Sequence, residues 1–328
     1  MLRYFVRRIL LMIPVLLGVS IIVFLLQAVA PGNPATLQLG YDAPQQAIDE
    51  WNAKYDLDKP LIVQYGKYMW NLITKGELGL SYRTGQSVNA EIASRVWVSL
   101  KLGFFSTLFA ALIGIPLGIV SAKYHGKFLD AFARIFGIAG ISLPNFWFAF
   151  MMIMWFSVDL KWFPVSGLYG PEYYVLPVAV MAILGSASML RITRSAILDN
   201  LFQDYVRTAR AKGQTERRIM SHHIIKNSLI PIANIVGMQF AGSMGGTTVT
   251  ETVFVITGLG MYLVAGVNNR DYNVLRACVL VIAFTVCVMN LLVDLFYAFV
   301  DPRVKAQFAK PGAARKRKRK AEIQADAQ

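Results

Sequence analysis

Residues 102–122 read LGFFSTLFAALIGIPLGIVSA, a stretch of 21 residues without a charged side chain. The apolar core of a bilayer needs roughly 20 residues of helix to cross it, so this stretch has the length and composition of a membrane span. Five further uncharged stretches of similar length occur along the chain, at residues 9–30, 135–158, 173–190, 228–250 and 277–293. The last of them continues apolar to Val300, interrupted only by Asp294. We therefore predict an all-α integral membrane protein with six transmembrane helices.

The composition of the 328 residues agrees with this prediction. Hydrophobic residues make up 55% of the chain and charged residues only 16%, whereas soluble domains carry about 25% charged residues. The net charge of +14 is therefore better explained by a membrane surface than by nucleic acid. An ordinary soluble enzyme is disfavoured.

The first apolar stretch could also be compared with a cleaved secretory signal, because it follows basic residues and ends in Ala28-Val29-Ala30. Its 22 uncharged residues exceed the 7–15 residues typical of a signal sequence. Pro31 would also directly follow the cleavage point, which disfavours cleavage there. We interpret residues 1–30 as a short N-terminal stub followed by an uncleaved span.

The distribution of basic residues predicts the orientation. If the N-terminus lies inside, 23 of the 33 Lys and Arg residues fall in the inner segments, as the positive-inside tendency requires. Both termini would then face the cytoplasm. The basic run Arg315–Lys320 belongs to a tail, residues 305–328, that is expected to be disordered and to touch anionic lipid rather than nucleic acid.

Residues 31–101 form the one long outer segment in this topology, which is too long for a plain loop. Asp42 could cap one helix reaching about Tyr55, and Asp58 with Pro60 could start a second. We expect Gly76 and the glycines after it to end the second helix. The segment would be a small helical insertion between the first two spans, and it could either pack on the protein's own helices or receive an external partner.

Residues 191–227, between the fourth and fifth spans, are rich in basic residues and in helix-forming residues, with a break at Gly213. A short helix, a glycine turn and a second helix along the membrane surface are predicted. From composition alone, this segment could simply touch anionic lipid. Residues 102–304 as a whole would form a core of five spans that contains it.

The fifth span carries small and polar residues at helical spacing, which permit close helix approach. They could contact another helix, or line a wet pathway, or do both at the boundary with a second membrane subunit. The candidate residues are Asn234, Gly237, Ala241, Gly242, Gly245 and Gly246, followed by Glu251 at the outer end.

No motif for catalysis or for a cofactor is found in the sequence. It has no G-x-x-x-x-G-K-[ST] phosphate loop, no G-x-S-x-G and no H-E-x-x-H, so we predict neither an ATPase nor a metal site in this chain. Charged residues within the spans are sparse, which disfavours, but leaves open, a stand-alone secondary transporter or channel. A membrane enzyme and a lipid-binding scaffold are further alternatives.

Residues 204–213 read DYVRTARAKG and are followed by His223, Asn227 and Pro231. This pattern resembles the cytoplasmic coupling loop of ABC importer permeases, whose general form is E-A-A-x-x-x-G. Ala209 and Gly213 match that form, whereas Arg207 and Thr208 replace its first two residues.

Further segments resemble the dipeptide, oligopeptide and nickel branch of that family, in the order of its first, B-type permease subunit. They are Ala30–Pro34, Leu57–Pro60, Gly79–Ser81, Thr250–Phe254, Gly258–Gly260, Arg270–Tyr272 and Asp301–Arg303. The resemblance covers about residues 1–305 and implies the type I fold of ABC importer permeases. It does not distinguish among dipeptides, oligopeptides, nickel chelates, glutathione or other solutes.

The resemblance implies partners and roles for named residues. A coupling helix at about Tyr205–Gly213 would sit in a cytoplasmic ATPase, and the solute path would run between this chain and a second permease. ATP and Mg²⁺ would bind one or two partner ATPases, an external substrate-binding protein would deliver the solute, and the location would be the bacterial inner membrane. The implied ATPase-coupling residues are Tyr205, Arg207, Thr208, Ala209, Arg210, Ala211, Lys212, Gly213, His223 and Asn227.

Overall fold

The computed structural model describes residues 2–30 and 32–300, with the side chains at 2–4, 244, 246 and 296–300 left out. The predicted basic tail at 305–328 lies outside the described residues. The described part of the chain is built of helices, which are numbered here in chain order.

Five long helices carry the predicted first, second, fourth, fifth and sixth spans. They are α1 (Leu2–Val29), α5 (Val88–Lys123), α8 (Val175–Leu201), α11 (Ile225–Val253) and α13 (Tyr272–Val300). Each has at least 27 residues, which exceeds the length needed to cross a bilayer. The prediction of these five spans is confirmed.

The predicted third span, 135–158, is not one continuous helix. It consists of α6 (Phe128–Ser142) and α7 (Asn145–Ile153), which continues as a π-helical turn through Asp159, and the two halves are bent by 102°. The bend falls at Pro144, which has no N–H and forces the preceding Leu143 into an extended conformation (ψ 127°). Counting the bent pair as one span gives the predicted six.

Short helices occupy the connections. Three precede α5, namely α2 (Pro34–Leu39), α3 (Gln45–Lys54) and α4 (Leu61–Lys75). Two follow α8, namely α9 (Asp204–Ala211) and α10 (Glu216–Arg218), and α12 (Leu259–Asn268) precedes α13.

The predicted outer segment contains the two predicted helices, and of their predicted starts only that at Pro60 is confirmed. The residues at the N-caps of α3 and α4 are Pro44 and Pro60, and neither Asp42 nor Asp58 caps a helix. The fixed φ of proline thus sets both starts. The predicted end of α4 is confirmed, because Gly76 closes it in the left-handed conformation at φ 68°. Residues 88–101 of the segment belong to α5, which continues into the second span.

The helices α5 and α6 pack closely on α8. A Cβ atom on Gly114 would come within 2.5 Å of the Ser186 carbonyl oxygen, and one on Gly140 would come within 2.6 Å of the Ala187 Cβ. Glycine is therefore required at both positions for the backbones to approach this closely. This packing fixes α8, whose end leads directly into α9.

Candidate functional site: the α9 segment and the exposed face of α11

The predicted coupling helix is present as α9, and its apolar side is anchored in the protein. Val206 is fully buried and Ala209 is 5% exposed. They belong to an aliphatic cluster contributed by α5, α8 and the segment that leads into α11. The other buried members are Ala122, Ile197, Ile219 and Ile224. The helix is thus packed against three elements at once.

The opposite side of α9 is exposed and basic. The exposed residues of the predicted coupling set are Tyr205, Arg207, Thr208, Arg210, Ala211, Lys212 and Gly213. A helix of eight residues with one buried stripe and one charged stripe is amphipathic. Its exposed side is available to a soluble partner.

Gly213 ends α9 in the manner that the sequence predicts. Its φ of 73° is in the left-handed region, and its N–H donates to the Arg210 carbonyl oxygen at 2.9 Å. The N–H of Gln214 donates to the carbonyl oxygen of Ala209 at 3.2 Å. These two bonds form a Schellman motif, which satisfies the last carbonyl groups of the helix.

The turn after α9 is closed by side chains of this chain. Arg210 donates from Nε to Glu216 Oε1 at 2.7 Å and from a terminal nitrogen to Oε2 at 3.2 Å. This hydrogen bond to the carboxylate raises the pKa of Arg210. His223 Nε2 lies 2.9 Å from Gln214 Oε1, so this predicted residue holds the turn as well. Asn227 lies exposed on α11.

A polar chain that the sequence did not reveal links α9 to both neighbouring long helices. The Tyr205 hydroxyl donates to Asn200 Oδ1 at 2.8 Å, and the Asn200 amide nitrogen donates to Ser228 Oγ at 3.0 Å. Asn200 is in α8 and Ser228 is in α11. The contacts cross 28 residues of sequence, and no local pattern predicts them.

The segment that follows the glycine turn differs from the prediction. Instead of a separate helix along the membrane surface, α10 and a π-helical turn over Ile219–Ile224 run without a break into α11. Residues Glu216–Ser243 form one apolar helix long enough to span a bilayer. The end of α9 is therefore connected directly to the fifth span.

The candidate residues of the fifth span divide between two faces of α11. Asn234, Gly242 and Gly245 are exposed, together with Met238 between them. Their spacing of three or four residues makes one continuous stripe along the helix. Gly246 is in α11, but its surroundings lie outside the described features.

The other candidates in α11 are buried within this chain. Gly237 faces α13, and a Cβ there would come within 2.3 Å of the Val293 Cγ2 atom. Ala241 is 5% exposed. These residues serve packing within this chain, which leaves the exposed stripe as the candidate for a path or a contact with another subunit.

Glu251 is not at a surface of this chain. It is fully buried, accepts a hydrogen bond from Ser99 Oγ at 2.6 Å and accepts another from the Met261 N–H at 2.9 Å. Ser99 Oγ in turn accepts from the Leu259 N–H at 2.9 Å. The carboxylate therefore fastens α5 and the start of α12 to the end of α11.

A second buried carboxylate, also not foreseen, fixes the helices that lead to α9. Asp130 of α6 is 1% exposed and receives two hydrogen bonds from Arg194 of α8, at 2.7 and 3.0 Å. Ser121 Oγ of α5 and the N–H of Gly126 complete its shell at 2.7 and 2.9 Å. Three spans are thus joined two helical turns before α8 ends. Among the described residues, no group of three or more His, Cys, Asp or Glu side chains could hold a metal ion.

Comparisons with known proteins give a family for this arrangement. Residues 114–306 match the family described as "Binding-protein-dependent transport system inner membrane component", and residues 1–103 match its N-terminal component. The dipeptide transport system permease protein DppB of Alkalihalophilus pseudofirmus is 36% identical, over 93% of this chain and all of that protein. The oligopeptide transport system permease protein AppB of Bacillus subtilis is 38% identical over the same shares. The glutathione transport system permease protein GsiC of Escherichia coli is 37% identical, over 93% of this chain and 99% of that protein.

Solved structures agree at the level of the fold. The chain is similar to a MetNI methionine ABC transporter in an inward-facing conformation, with a TM-score of 0.54 and 17% identity over 64% of this chain and 96% of that chain. It is also similar to an amino acid ABC transporter, with a TM-score of 0.52 and 18% identity over 63% of this chain and 93% of that chain.

The family match accounts for the helices long enough to span a membrane and for the absence of catalytic motifs from the sequence, because in such transporters ATP is hydrolysed on separate subunits. This chain belongs to the binding-protein-dependent inner membrane components, as a multi-pass, B-type permease subunit of the ABC importers of the dipeptide and oligopeptide type.

Proposed function

We propose that this permease moves dipeptides or oligopeptides inward along a path that it forms with a second permease subunit. An external substrate-binding protein delivers the peptide, and one or two cytoplasmic ATPases hydrolyse ATP with Mg²⁺. The substrate class is supported by relatives at 36–38% identity that are named for dipeptide, oligopeptide and glutathione transport.

The observation that carries the proposal is the way in which α9 is held. Its buried stripe is packed on α5, α8 and the start of the α11 helix, and its basic stripe is exposed. A partner that pushes on the exposed stripe would displace three spans together rather than bend a loop. Coupling between distant sites requires such an element with two discrete positions.

The exposed stripe of α11, with Asn234, Gly242 and Gly245, is the proposed wall of the path or the contact with the second permease. Small residues let another helix or a solute approach the backbone closely. Motion of α9 reaches this wall directly, because the segment after its glycine turn is continuous with α11.

The outer segment is the proposed contact for the binding protein. Its helix α4 packs one side on α1, where Tyr65 and Tyr68 lie 5.1 and 5.6 Å from the ring of Phe24. The other side exposes apolar side chains, among them Ile62 and Ile73 at about three-quarters exposure. The proposal therefore assigns the two possibilities raised by the sequence to different faces of one helix.

The proposed orientation places both termini and α9 in the cytoplasm. It is supported by the excess of Lys and Arg in the segments on that side, eight of which lie between residues 191 and 226. Basic side chains on that side would also contact the anionic inner leaflet.

The test begins with purification of the chain in mild detergent from its native membrane, with its partners identified by mass spectrometry. Recovery of a second permease and of P-loop ATPases is the expected result. A monomer or homodimer without an ATPase, under conditions that preserve known importers, would instead favour a stand-alone secondary transporter.

Coupling is then tested in proteoliposomes with Gly213→Val. A β-branched residue in the left-handed conformation costs about 1–2 kcal/mol, which would unwind the end of α9. We expect ATP hydrolysis to continue while peptide uptake per ATP falls severalfold.

Gly76→Val is the matched control for this variant. Gly76 has a similar φ of 68° and, like Gly213, has no atom within 4 Å of the position that a Cβ would occupy, so the backbone strain is equal but lies at the outer end. Gly76→Val should retain the normal ratio of uptake to ATP hydrolysis. Equal ratios in the two variants would contradict the role of α9.

A further inference from the structure

A polar cavity of about 240 Å³ lies at the end of the molecule opposite α9. It is enclosed by α4, by the turn that follows α4 and by the first turn of α13. Tyr68, Asn71, Asn273 and Arg276 are among its lining residues. Its volume equals that of about eight liquid water molecules, which suits a small solute or a single side chain.

Arg276 is a buried cation whose hydrogen bonds all go to neutral acceptors. Its side chain is 6% exposed, and it donates to the Tyr272 carbonyl oxygen at 3.0 Å, to Asn273 Oδ1 at 2.5 Å and to the Tyr82 hydroxyl at 3.4 Å. Its guanidinium also stacks 4.4 Å from the ring centre of Phe24. Burying a charge is unfavourable unless an opposite charge accompanies it.

The carboxylate of Asp271 acts on Arg276 only from a distance, because no hydrogen bond or ion pair joins the two in the described structure. Its oxygens accept hydrogen bonds from Ser81 Oγ at 2.6 Å and from the backbone N–H groups of Arg83 and Val274 at 3.3 and 3.2 Å. With these bonds, Asp271 holds the loop before α5 and caps the first turn of α13.

Tyr68 supplies a second donor without a partner. It is 9% exposed, and its hydroxyl oxygen is buried without a hydrogen bond in the described structure. Burial raises the pKa of Tyr68 to about 12, so the hydroxyl keeps its proton at neutral pH. Its ring centre lies 5.1 Å from the guanidinium of Arg276, and both side chains line the cavity.

The lining of the cavity carries one net positive charge. Arg276, Lys54 and Lys67 lie there with Asp56 and Glu77, and Asp56 is paired with Lys67 and with Lys59, the latter at 2.5 Å. These ion pairs lower the pKa of Asp56 and keep it charged. An anion that enters therefore meets an excess of positive charge.

We propose that this cavity is a carboxylate-binding site, in which the guanidinium of Arg276 and the hydroxyl of Tyr68 hold the incoming group. The carboxylate can come from a small solute such as the C-terminus of a short peptide, or from an acidic side chain of a protein that docks on the outer end.

The test uses the full-length chain with its co-purifying subunits in nanodiscs, without binding protein. Glycylglycine is compared with glycylglycine amide, which lacks the carboxylate, by the shift in unfolding temperature. Glycylglycine is expected to stabilise the protein at concentrations at which the amide does not.

Tyr68→Phe removes only the unpaired hydroxyl, so the protein without ligand should be at least as stable as the parent. The concentration of glycylglycine for half of the stabilisation should rise about tenfold, as expected for one lost hydrogen bond to a charged group. Tyr65→Phe is the matched control, because the Tyr65 hydroxyl is bonded to Ser20 Oγ at 2.9 Å and is not part of the cavity. It should leave the half-saturating concentration unchanged.

The second source of the carboxylate is tested by the affinity of the binding protein for the same nanodiscs, and this arm rests on the proposed function. If a protein side chain is the occupant, glycylglycine has no effect, and Tyr68→Phe but not Tyr65→Phe weakens docking about tenfold. Equal stabilisation by the acid and the amide, or no difference between the two variants in both measurements, overturns the proposal. Failure to recover ATPases would overturn the transport function but would leave the glycylglycine result standing.

Discussion

The two ends of this molecule are held together by different chemistry. At the end that carries α9, the buried contacts of that helix are aliphatic, through Val206 and Ala209, and the ion pair of Arg210 with Glu216 lies at the surface. At the opposite end, a buried polar network around Asp271 and Arg276 lies beside an aliphatic cluster that includes Val274.

The difference indicates how each end can behave. Hydrogen bonds are directional, and Asp271 accepts three of them, so this network resists displacement of the elements that it joins. Aliphatic contacts are not directional, so α9 can shift as a unit while it stays packed. Substitutions at the outer end should therefore reduce folding, whereas those at the α9 end should reduce coupling.

The largest effect is expected from Asp271→Ala. It leaves the buried Ser81 hydroxyl and the N–H groups of Arg83 and Val274 without their acceptor, which we expect to cost about 3 kcal/mol of stability. Thermal unfolding in detergent and the yield of folded protein measure the loss.

Asp58→Ala is the control for this change, because Asp58 is an exposed aspartate of the outer segment. It should alter stability by less than about 0.5 kcal/mol. Equal unfolding temperatures of the two variants would show that the outer end does not depend on its buried carboxylate.

The same contrast explains what the sequence could predict. The α9 helix itself is encoded by neighbouring residues, so its apolar positions and the glycine that ends it are visible as a local pattern. The outer cluster joins Ser81 to Asp271 across 190 positions, and the Asp130 shell reaches Arg194 across 64. Contacts of that range are set by the packing of whole helices, which no local pattern encodes.

The proline of the third span shows that sequence-based prediction is limited even within a single span. Pro14, Pro116 and Pro231 lie inside continuous helices, whereas Pro144 stands at a bend of 102°. The residue type is the same in all four cases. Whether a span bends depends on what neighbouring helices offer to the freed backbone groups, and this could not be predicted.

Val206→Ala is expected to reduce stability less than Asp271→Ala does, and to reduce coupling more. The fully buried side chain loses two methyl groups, which costs about 2 kcal/mol locally and loosens α9 from the cluster. In proteoliposomes, peptide uptake per ATP hydrolysed should fall, while the unfolding temperature of the spans changes little.

Val63→Ala is the matched change at the outer end, where the side chain is 47% exposed. Uptake per ATP should remain at the level of the parent protein. If Val63→Ala and Val206→Ala reduced this ratio equally, the loss could not be attributed to the aliphatic anchor of α9.

The smallest effect is expected from Arg210→Ala, which removes the surface ion pair with Glu216. The two side chains are 43% and 66% exposed, and a pair of that kind contributes about 0–1 kcal/mol, screened further by salt. The unfolding temperature of the parent protein should differ slightly between low and high salt, and that of the variant should not.

Arg207→Ala is the control, since the contact of Arg207 with Asp204 spans 3.7 Å between more exposed side chains. No measurable change in unfolding temperature is expected for this variant. A loss of coupling by Arg210→Ala as large as that by Val206→Ala would locate the force-bearing contact in the surface turn, because the aliphatic anchor is intact in that variant.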